Sequence, residues 1–325
     1  MIYSYHIIKE FNIVMREKVT ILMTTYNENK DIFEKALESI LNQTIKNIKI
    51  LIIVDNKENI DVINAIKEYQ RKDNRIYYYI NEKALGLAES LNKGIDMVDT
   101  EYIARMDSDD ISFEDRIEKQ LKYAEENEDL ALFGCNIIFM DFNGNVLNKR
   151  KKHSTNVDKI KEITKYINIF HHPTFFGKTD SFRKYKYRNI TYSQDYEIIC
   201  RLLEDNQKVG NMDEYMLYYR LPFQLDDEKL YKQKISYFCI QELYKQNKLM
   251  ETNINKYIEE KINDKNKEKI KKSFLLYEKA FDEYRNKHYM KFVRDICYSF
   301  FLSKYQRIQV KNLMRYKLIS KGENV

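Results

Sequence analysis

Short apolar runs alternate with helical patterns along the first half of the chain. Four runs rich in β-branched or aromatic residues are typical of strands, at residues 19–23, 48–54, 75–80 and 102–106. Apolar residues recur at three- and four-residue spacing over 31–41, and we expect further helices over 87–97 and 113–127. Because strands that alternate with helices form parallel sheets with crossover connections, the pattern predicts an α/β fold.

A polar cluster follows three of these predicted strands, at residues 24–28, 55–57 and 107–110. The carboxyl ends of parallel strands meet at the edge where open α/β sheets bind ligands. The last cluster contains three carboxylates, Asp107, Asp109 and Asp110. Neighbouring carboxylates repel unless a cation or a basic partner lies between them, and oxygen ligands suit Mg²⁺ or Mn²⁺. An acidic surface turn, with Asp110 capping the following helix, is the alternative.

The last third of the chain has a different character. Only two prolines occur, Pro173 and Pro222, and residues 223–321 contain neither proline nor glycine. This composition predicts a helical segment, because both residues are unfavourable inside helices. We therefore divide the chain into an N-terminal extension (1–17), an α/β domain (18–222) and a helical C-terminal domain (223–325).

Positive charge is concentrated in that C-terminal domain. The chain carries a formal net charge of +6, yet residues 1–223 contain 33 basic and 36 acidic residues, against 23 and 14 in residues 224–325. Lys304, Arg307, Lys311 and Arg315 fall on one face of a helix expected to continue from residues 293–301. A basic amphipathic helix can lie on an anionic membrane. A helical cap with a solvated basic face is the alternative. No nucleic-acid-binding motif accompanies the charge, so we expect no nucleic-acid partner.

We expect neither a signal peptide nor a membrane span. No apolar stretch approaches the roughly 18 to 20 residues that a span requires. The four cysteines, Cys135, Cys200, Cys239 and Cys297, are widely spaced and form no CxxC pair. They indicate free thiols in a reducing compartment. These features predict a cytoplasmic protein that can attach peripherally to the inner face of the cell membrane.

The usual backbone devices for binding phosphate groups are missing. The sequence has neither a GxxxxGK[ST] loop nor a GxGxxG turn, which disfavours P-loop enzymes and dinucleotide-binding dehydrogenases. A sugar-activating nucleotidyltransferase is disfavoured because its glycine-rich N-terminal loop is absent. A divalent cation held by Asp107 and Asp109 remains as the neutraliser of a diphosphate ligand.

Several motifs occur in an order that resembles family 2 glycosyltransferases with the GT-A fold, in particular bacterial capsule and exopolysaccharide transferases. The resemblance covers roughly residues 18–221 and is carried by residues 19–27, 52–55, 86–94, 104–110, 172–174 and 194–197. It implies a Rossmann-like mixed sheet flanked by helices. It also implies inverting, Mn²⁺- or Mg²⁺-dependent transfer of a sugar from a nucleotide-diphosphate sugar, with UDP-sugar favoured. The implied acceptor is a glycan or lipid-linked saccharide, in bacterial surface polysaccharide or glycolipid assembly.

The resemblance assigns donor-binding roles to five residues. Thr24 and Tyr26 line the base pocket, with the Tyr26 ring stacking on the base. Asp55 matches the first position of an acidic pair, whereas Asn56 replaces the second carboxylate, although its side-chain carbonyl can still accept a hydrogen bond from the base. Lys83 lies where relatives place a basic diphosphate contact.

The resemblance also assigns the metal site and the general base. Asp109 is the expected direct metal ligand, Asp107 reaches ribose or metal, and His172 completes the metal shell or orients the diphosphate. Asp195 is the expected base that removes the proton of the acceptor hydroxyl. The alternative role of Asp195 is a helix N-cap. Arg105, on the strand before Asp107, is interpreted as a paired structural cation.

A non-catalytic GT-A-like binding or assembly module is the alternative function. In that interpretation Asn56 marks a decayed donor pocket. The retained carboxylates Asp107, Asp109 and Asp195 argue against it.

Overall fold

A computed structural model describes residues 17–222 and 226–321 of the chain. Within these ranges one mixed sheet has nine strands. They are β1 (Val19–Thr25), β2 (Ile48–Val54), β3 (Ile76–Ile80), β4 (Tyr102–Asp107), β5 (Ile111–Ser112), β6 (Leu130–Met140), β7 (Val146–Lys151), β8 (Phe176–Lys178) and β9 (Lys208–Arg220).

Twelve α-helices flank or extend this sheet within the described ranges. They are α1 (Lys30–Leu41), α2 (Ile60–Lys72), α3 (Leu87–Met97), α4 (Arg116–Glu126), α5 (Val157–Thr164), α6 (Thr179–Tyr185), α7 (Gln194–Glu204), α8 (Asp227–Lys245), α9 (Ile254–Ile262), α10 (Lys267–Arg285), α11 (Tyr289–Leu302) and α12 (Lys304–Ile319). A 3₁₀ turn covers His172–Thr174.

The sheet order is β3-β2-β1-β4-β8-β6-β9-β5, and β7 pairs with β6. The four strands predicted from the apolar runs are β1 to β4, and they pair in parallel. β8 is antiparallel to both β4 and β6. The predicted α/β architecture, a Rossmann-like mixed sheet flanked by helices, is confirmed.

Side chains of the central strands pack alternately against two hydrophobic clusters, one on each face of the sheet. Ile21 and Met23 of β1 face one cluster with α1 and α2, whereas Leu22 between them faces the other with α3. On the second face α3 lies very close to the sheet, since a Cβ at Gly94 would collide with the Leu22 side chain. Burial on both faces holds the carboxyl ends of β1, β2 and β4 in a fixed position.

The C-terminal helices share a core with the α/β part. α8 packs on α7, α9 and α10. Ile235 of α8, Phe274 of α10 and Tyr305 of α12 belong to the same hydrophobic cluster as Leu22. The helical content predicted for residues 223–321 is confirmed over the described residues. No helix among residues 17–222 and 226–321 is long and apolar enough to span a membrane.

The prediction of one helix that continues from residues 293–301 through Arg315 is wrong, because two helices occupy this stretch. α11 ends at Leu302, and Ser303 has extended backbone angles. The Ser303 side chain accepts a hydrogen bond from the Tyr305 backbone N–H at 3.1 Å and so begins α12. Ser303 thus separates the two helices, as the last flanking residue of α11 and the N-cap of α12, without proline or glycine. All four cysteines are free thiols, as predicted.

Candidate active site

Two adjoining cavities lie along the carboxyl ends of β1, β2 and β4. The first, which we name the strand-end cavity, has a volume of about 440 Å³ and is lined by residues 24–26, Glu28, Asp55, Ala84, Gly86, Leu87, Ser90 and 107–109. The central cavity is lined by residues 85–88, Arg105, Asp107, 170–173 and 189–195 with parts of β9 and α8, and its volume is about 840 Å³. Asp107 lines both cavities, so a ligand can extend from one into the other.

Thr24 and Tyr26 line the strand-end cavity, and their contact with a nucleotide base stays a prediction. The Tyr26 side chain is 48% exposed, which leaves its ring free for stacking. Asn56 and Lys83 are not among the residues that line either cavity. Asn56 Nδ2 donates to Asn27 Oδ1 at 2.6 Å, and Lys83 is exposed in the loop after β3. The donor-binding roles of Asn56 and Lys83 stay predictions.

Glu28, a residue that the motifs of the sequence did not indicate, fixes the loop that carries Tyr26. Its carboxylate accepts hydrogen bonds from Thr25 Oγ1 at 2.6 Å and from the Tyr26 backbone N–H at 2.7 Å. Asn59, the N-cap of α2, donates to the carbonyl oxygens of Tyr26 and Glu28 at 3.3 and 3.2 Å. The Thr-x-x-Glu spacing at the end of β1 is the signal that would have indicated this contact.

Asp55 organises the turn between the two cavities. Its carboxylate accepts hydrogen bonds from Asn81 Nδ2, Ser90 Oγ and the backbone N–H groups of Leu85 and Gly86, at 2.7 to 2.9 Å. Burial raises the pKa of Asp55, but these donors outweigh it and hold the pKa below its ordinary value. Gly86 has φ +85°, a conformation that favours glycine. Asp55 therefore holds this turn of the cavity wall in place, and its contact with a nucleotide stays a prediction.

Three carboxylates converge at the end of β4. One oxygen each from Asp107, Asp109 and Asp110 lies within 4.8 Å of the other two. Burial, together with the charges of Asp107 and Glu28, raises the pKa of Asp109 to about 7. Among the described residues, no donor reaches the buried Oδ2 of Asp110. A cluster of oxygen ligands whose negative charge is not balanced by positive charge nearby is suited to bind a divalent cation such as Mg²⁺ or Mn²⁺.

Asp110 does not cap the following helix, so that alternative is wrong. α4 begins at Arg116, and its N-cap is Asp115. The Oδ1 atom of Asp110 instead accepts a hydrogen bond from the Arg220 backbone N–H at 2.7 Å. Arg220 Nε donates to the Asp109 carbonyl oxygen at 2.6 Å. Arg220, at the end of β9, is thus a second residue at the acidic cluster that the sequence did not indicate.

Arg105 forms an ion pair with Asp107, which confirms its interpretation as a paired cation. Its guanidinium is 2% exposed, lines the central cavity, and its Nε and Nη1 atoms have no acceptor within the described part of the chain. A buried guanidinium with unused donors can also hold an anionic ligand. Arg105 is therefore placed to contact an anionic ligand beside Asp107.

His172 lines the central cavity but lies outside the carboxylate cluster of Asp107, Asp109 and Asp110. Its Nε2 is 2.9 Å from the Tyr187 hydroxyl. Burial, helped by the positive charge of Arg105, lowers the pKa of His172 well below its ordinary value, so the imidazole is neutral. A ligand role for His172 stays a prediction.

Asp195 also lines the central cavity, near the start of α7. The helix N-cap is Ser193, with φ +62°, so the N-cap alternative for Asp195 is wrong. The Oδ2 atom of Asp195 accepts a hydrogen bond from Asn168 Nδ2 at 3.0 Å. Burial raises the pKa of Asp195 above its ordinary value, although Asn168 opposes this. Asn168 could not be predicted as a site residue, because nothing in its local sequence points to Asp195.

The model of the family described as glycosyl transferase family 2 matches residues 20–186, about half of the chain. The chain belongs to glycosyl transferase family 2. The matched range contains most of β1, all of β2 to β4 and the acidic cluster, and it ends before Asp195. The enzyme class expected from the sequence, a glycosyltransferase, is confirmed.

Relatives of this family 2 glycosyltransferase cover most of its length. An uncharacterized glycosyltransferase of Methanocaldococcus jannaschii is 37% identical over 236 residues, which are 71% of this chain and 80% of the relative. The O-antigen biosynthesis glycosyltransferase WbnJ of Escherichia coli is 32% identical over 208 residues, or 63% of this chain and 80% of WbnJ. The amylovoran biosynthesis glycosyltransferase AmsE of Erwinia amylovora is 28% identical over 61% of this chain and 74% of AmsE.

Among solved structures, the family 2 glycosyltransferase is similar to S. aureus TarS 1–349 in complex with UDP. The TM-score is 0.56 at 12% sequence identity, and the match covers 94% of this chain and 90% of the TarS chain. The same protein in complex with UDP-GlcNAc matches at 13% identity. This likeness confirms the GT-A-like fold, including a helical C-terminal region.

Proposed function

We propose that this glycosyltransferase moves a sugar from a nucleotide-diphosphate sugar to a hydroxyl of a glycan or lipid-linked saccharide, with inversion and with Mn²⁺ or Mg²⁺. The observation that carries the proposal is the meeting of two cavities at Asp107, with the acidic cluster on one side and Asp195 on the other. TarS binds UDP and UDP-GlcNAc, which supports a UDP-sugar. The relatives WbnJ and AmsE support a role in surface polysaccharide assembly.

In this proposal the nucleoside occupies the strand-end cavity. Thr24 lines the base site and the exposed Tyr26 ring stacks on the base. The diphosphate lies beside Asp107 and Asp109, where the Arg105 guanidinium supplies donors. A divalent cation held by the acidic cluster would neutralise the charge that develops on the diphosphate leaving group.

The acceptor hydroxyl enters the central cavity and faces Asp195. As the hydroxyl oxygen bonds to the anomeric carbon, the bond from that carbon to the diphosphate oxygen breaks, and the hydroxyl proton passes to Asp195. A single in-line displacement inverts the configuration at the anomeric carbon. Asn168 orients the Asp195 carboxylate through its hydrogen bond. Residues 18–222 form the catalytic domain in this proposal.

Calorimetric titration with UDP tests the donor site directly. We expect UDP to bind in the presence of Mn²⁺ and to bind at least about tenfold more weakly with a chelator, because the cation screens the repulsion between phosphates and carboxylates. Absence of binding to UDP and to the other common nucleoside diphosphates, with and without Mn²⁺, would instead favour a non-catalytic module.

The acid limb of the pH profile is expected to move when Asn168 is changed. The Asp195 carboxylate must be ionised to act as base, so activity rises with pH through its raised pKa. Asn168→Asp retains the acceptor for the Phe170 backbone N–H but replaces the donor to Asp195 with a second carboxylate. The acid limb should therefore shift to higher pH, by roughly one unit or more.

Rates measured from pH 5 to 9 for wild type, Asn168→Asp and the control Asn189→Ala check this shift. Asn189 is exposed and lines the same cavity. The control should keep the wild-type limb. An unchanged acid limb in Asn168→Asp would show that Asn168 does not influence the catalytic carboxylate.

A membrane-facing role of the C-terminal helices is part of the proposal. On α11 the side chains of Met290 and Phe301 are 90% and 77% exposed. On α12, Lys304, Arg307 and Lys311 are exposed together with apolar side chains. Exposed apolar and basic side chains on the same helices suit the surface of an anionic bilayer. Such a surface would hold the enzyme near a lipid-linked acceptor.

Vesicle sedimentation with surface variants tests this role. Because Tyr305 of α12 is buried in the shared core, truncation before α12 would disturb the fold. Charge reversal at Lys304, Arg307 and Lys311 should instead weaken binding to vesicles containing anionic lipid by at least about tenfold, since each cation contributes about 1 kcal/mol.

The matched control reverses three exposed cations on α1 and α2, namely Lys35, Lys67 and Arg71. This variant should bind vesicles like the wild type. If both variants sediment with vesicles like the wild type, the C-terminal helices do not bind membrane and serve only as a cap on the catalytic domain.

A further inference from the structure

A third cavity of about 550 Å³, which we name the helical groove, lies between the catalytic domain and the C-terminal helices. Its walls come from residues 166–168, the start of α7, and helices α8, α10 and α12. Ser193, Asp195 and Gln233 line both the helical groove and the central cavity. The two spaces therefore adjoin at Asp195, and a ligand whose one end reacts there can extend into the groove.

The lining of the helical groove combines aromatic rings with amide groups. Tyr166, Tyr237 and Tyr277 contribute partly exposed rings. A tyrosine offers an apolar face and a polar hydroxyl, which suits the C–H faces and hydroxyl groups of a sugar. Rings and amides of this kind recognise a ligand that is amphipathic along its whole length.

The positive charge that lines the groove is paired. Lys234 of α8 and Glu278 of α10 form an ion pair at 3.1 Å across it. The groove therefore has no excess positive charge that would attract a nucleic acid or a polyphosphate. A neutral saccharide matches this charge balance better than an anionic ligand does.

Gln309 of α12 offers an unused polar atom in the groove. Its buried Oε1 has no hydrogen-bond partner among the described residues. Asn312, one turn further along, is already engaged, since it donates to Gln241 and accepts from Lys245. A buried acceptor without a donor is costly, so a ligand hydroxyl at Gln309 would satisfy it.

From these observations we infer that the helical groove binds the saccharide units of the acceptor that follow the unit reacting at Asp195. The inference rests on the proposed function and goes beyond it, because it makes the acceptor a neutral oligosaccharide chain of at least two units. The C-terminal helices then provide part of the acceptor site.

Binding and kinetics with neutral acceptors of increasing length test the inference. Neutral monosaccharides and the matched trisaccharides are titrated by saturation-transfer NMR, which needs no turnover, and are then used as acceptors with a nucleotide sugar. We expect trisaccharides to bind more tightly than their monosaccharides. Tyr277→Ala and Gln309→Ala should each raise the KM for the trisaccharide by about three- to tenfold and leave the KM for the monosaccharide unchanged.

Tyr298→Ala serves as the matched control, since Tyr298 is a partly exposed tyrosine on α11 outside the groove. Its KM values should equal those of the wild type. The inference is overturned if no trisaccharide in the panel binds better than its monosaccharide, or if the groove variants change both KM values equally. Absence of nucleoside diphosphate release from every donor, with trisaccharide binding retained, would contradict the proposed function and leave the groove as a saccharide site.

Discussion

Replacement of Asp195 by asparagine is expected to lower the rate of sugar transfer by about 10²- to 10⁴-fold, the usual contribution of a general base. Asparagine has nearly the same shape as aspartate, and its Oδ1 can still accept the hydrogen bond from Asn168. It cannot take the proton of the acceptor hydroxyl. The loss should therefore appear in kcat, with little change in the affinity for UDP.

Steady-state kinetics and UDP titration of Asp195→Asn check this expectation. Asp180→Asn is the matched control, because the Asp180 side chain is 95% exposed on α6 and lines neither cavity. It should retain wild-type rates. Full transfer activity in Asp195→Asn would show that another group removes the proton.

Replacement of Asp109 by asparagine is expected to remove the effect of Mn²⁺ and to lower activity by at least about 100-fold, since a bound cation supplies several kcal/mol of charge stabilisation. The same change should not destabilise the metal-free protein. Burial and neighbouring negative charges raise the pKa of Asp109 to about 7. At pH values above the pKa of this group in the unfolded chain, the ionised carboxylate therefore opposes folding, and a neutral amide removes that cost.

Thermal unfolding with and without Mn²⁺ separates these effects. At pH 8, Mn²⁺ should raise the Tm of the wild type and of Asp180→Asn, but not that of Asp109→Asn. Without the metal, Asp109→Asn should unfold at the same temperature as the wild type or above it. If Mn²⁺ stabilises Asp109→Asn as much as the wild type, the metal site lies elsewhere.

The part of the fold that the sequence predicted consists of locally encoded elements. Strands β1 to β4 are apolar runs that end in polar clusters, and the parallel pairing that follows from alternation with helices brings Thr24 and Asp107 side by side. The break at Ser303 could not be predicted from proline or glycine, because a serine N-cap forms it.

Contacts between distant segments account for what the sequence missed at the site. Arg220 reaches Asp110 across 110 positions, and Asn168 reaches Asp195 across 27 positions. Asp55 lines the strand-end cavity, as a nucleotide contact would require, and the sequence did not indicate that its carboxylate also accepts hydrogen bonds from the Leu85–Gly86 turn. Whether such residues become partners depends on the path by which distant loops return to the edge of the sheet. A local sequence pattern does not encode that path.

The most direct test of the account is the release of nucleoside diphosphate from a panel of nucleotide sugars. UDP-, GDP-, dTDP- and ADP-sugars are incubated with the wild type in Mn²⁺ or in chelator, and with Asp195→Asn in Mn²⁺. We expect diphosphate release from a UDP-sugar by the wild type in Mn²⁺ alone. Release that is equal in chelator, or undiminished in Asp195→Asn, would contradict a metal-dependent transferase with Asp195 as its base.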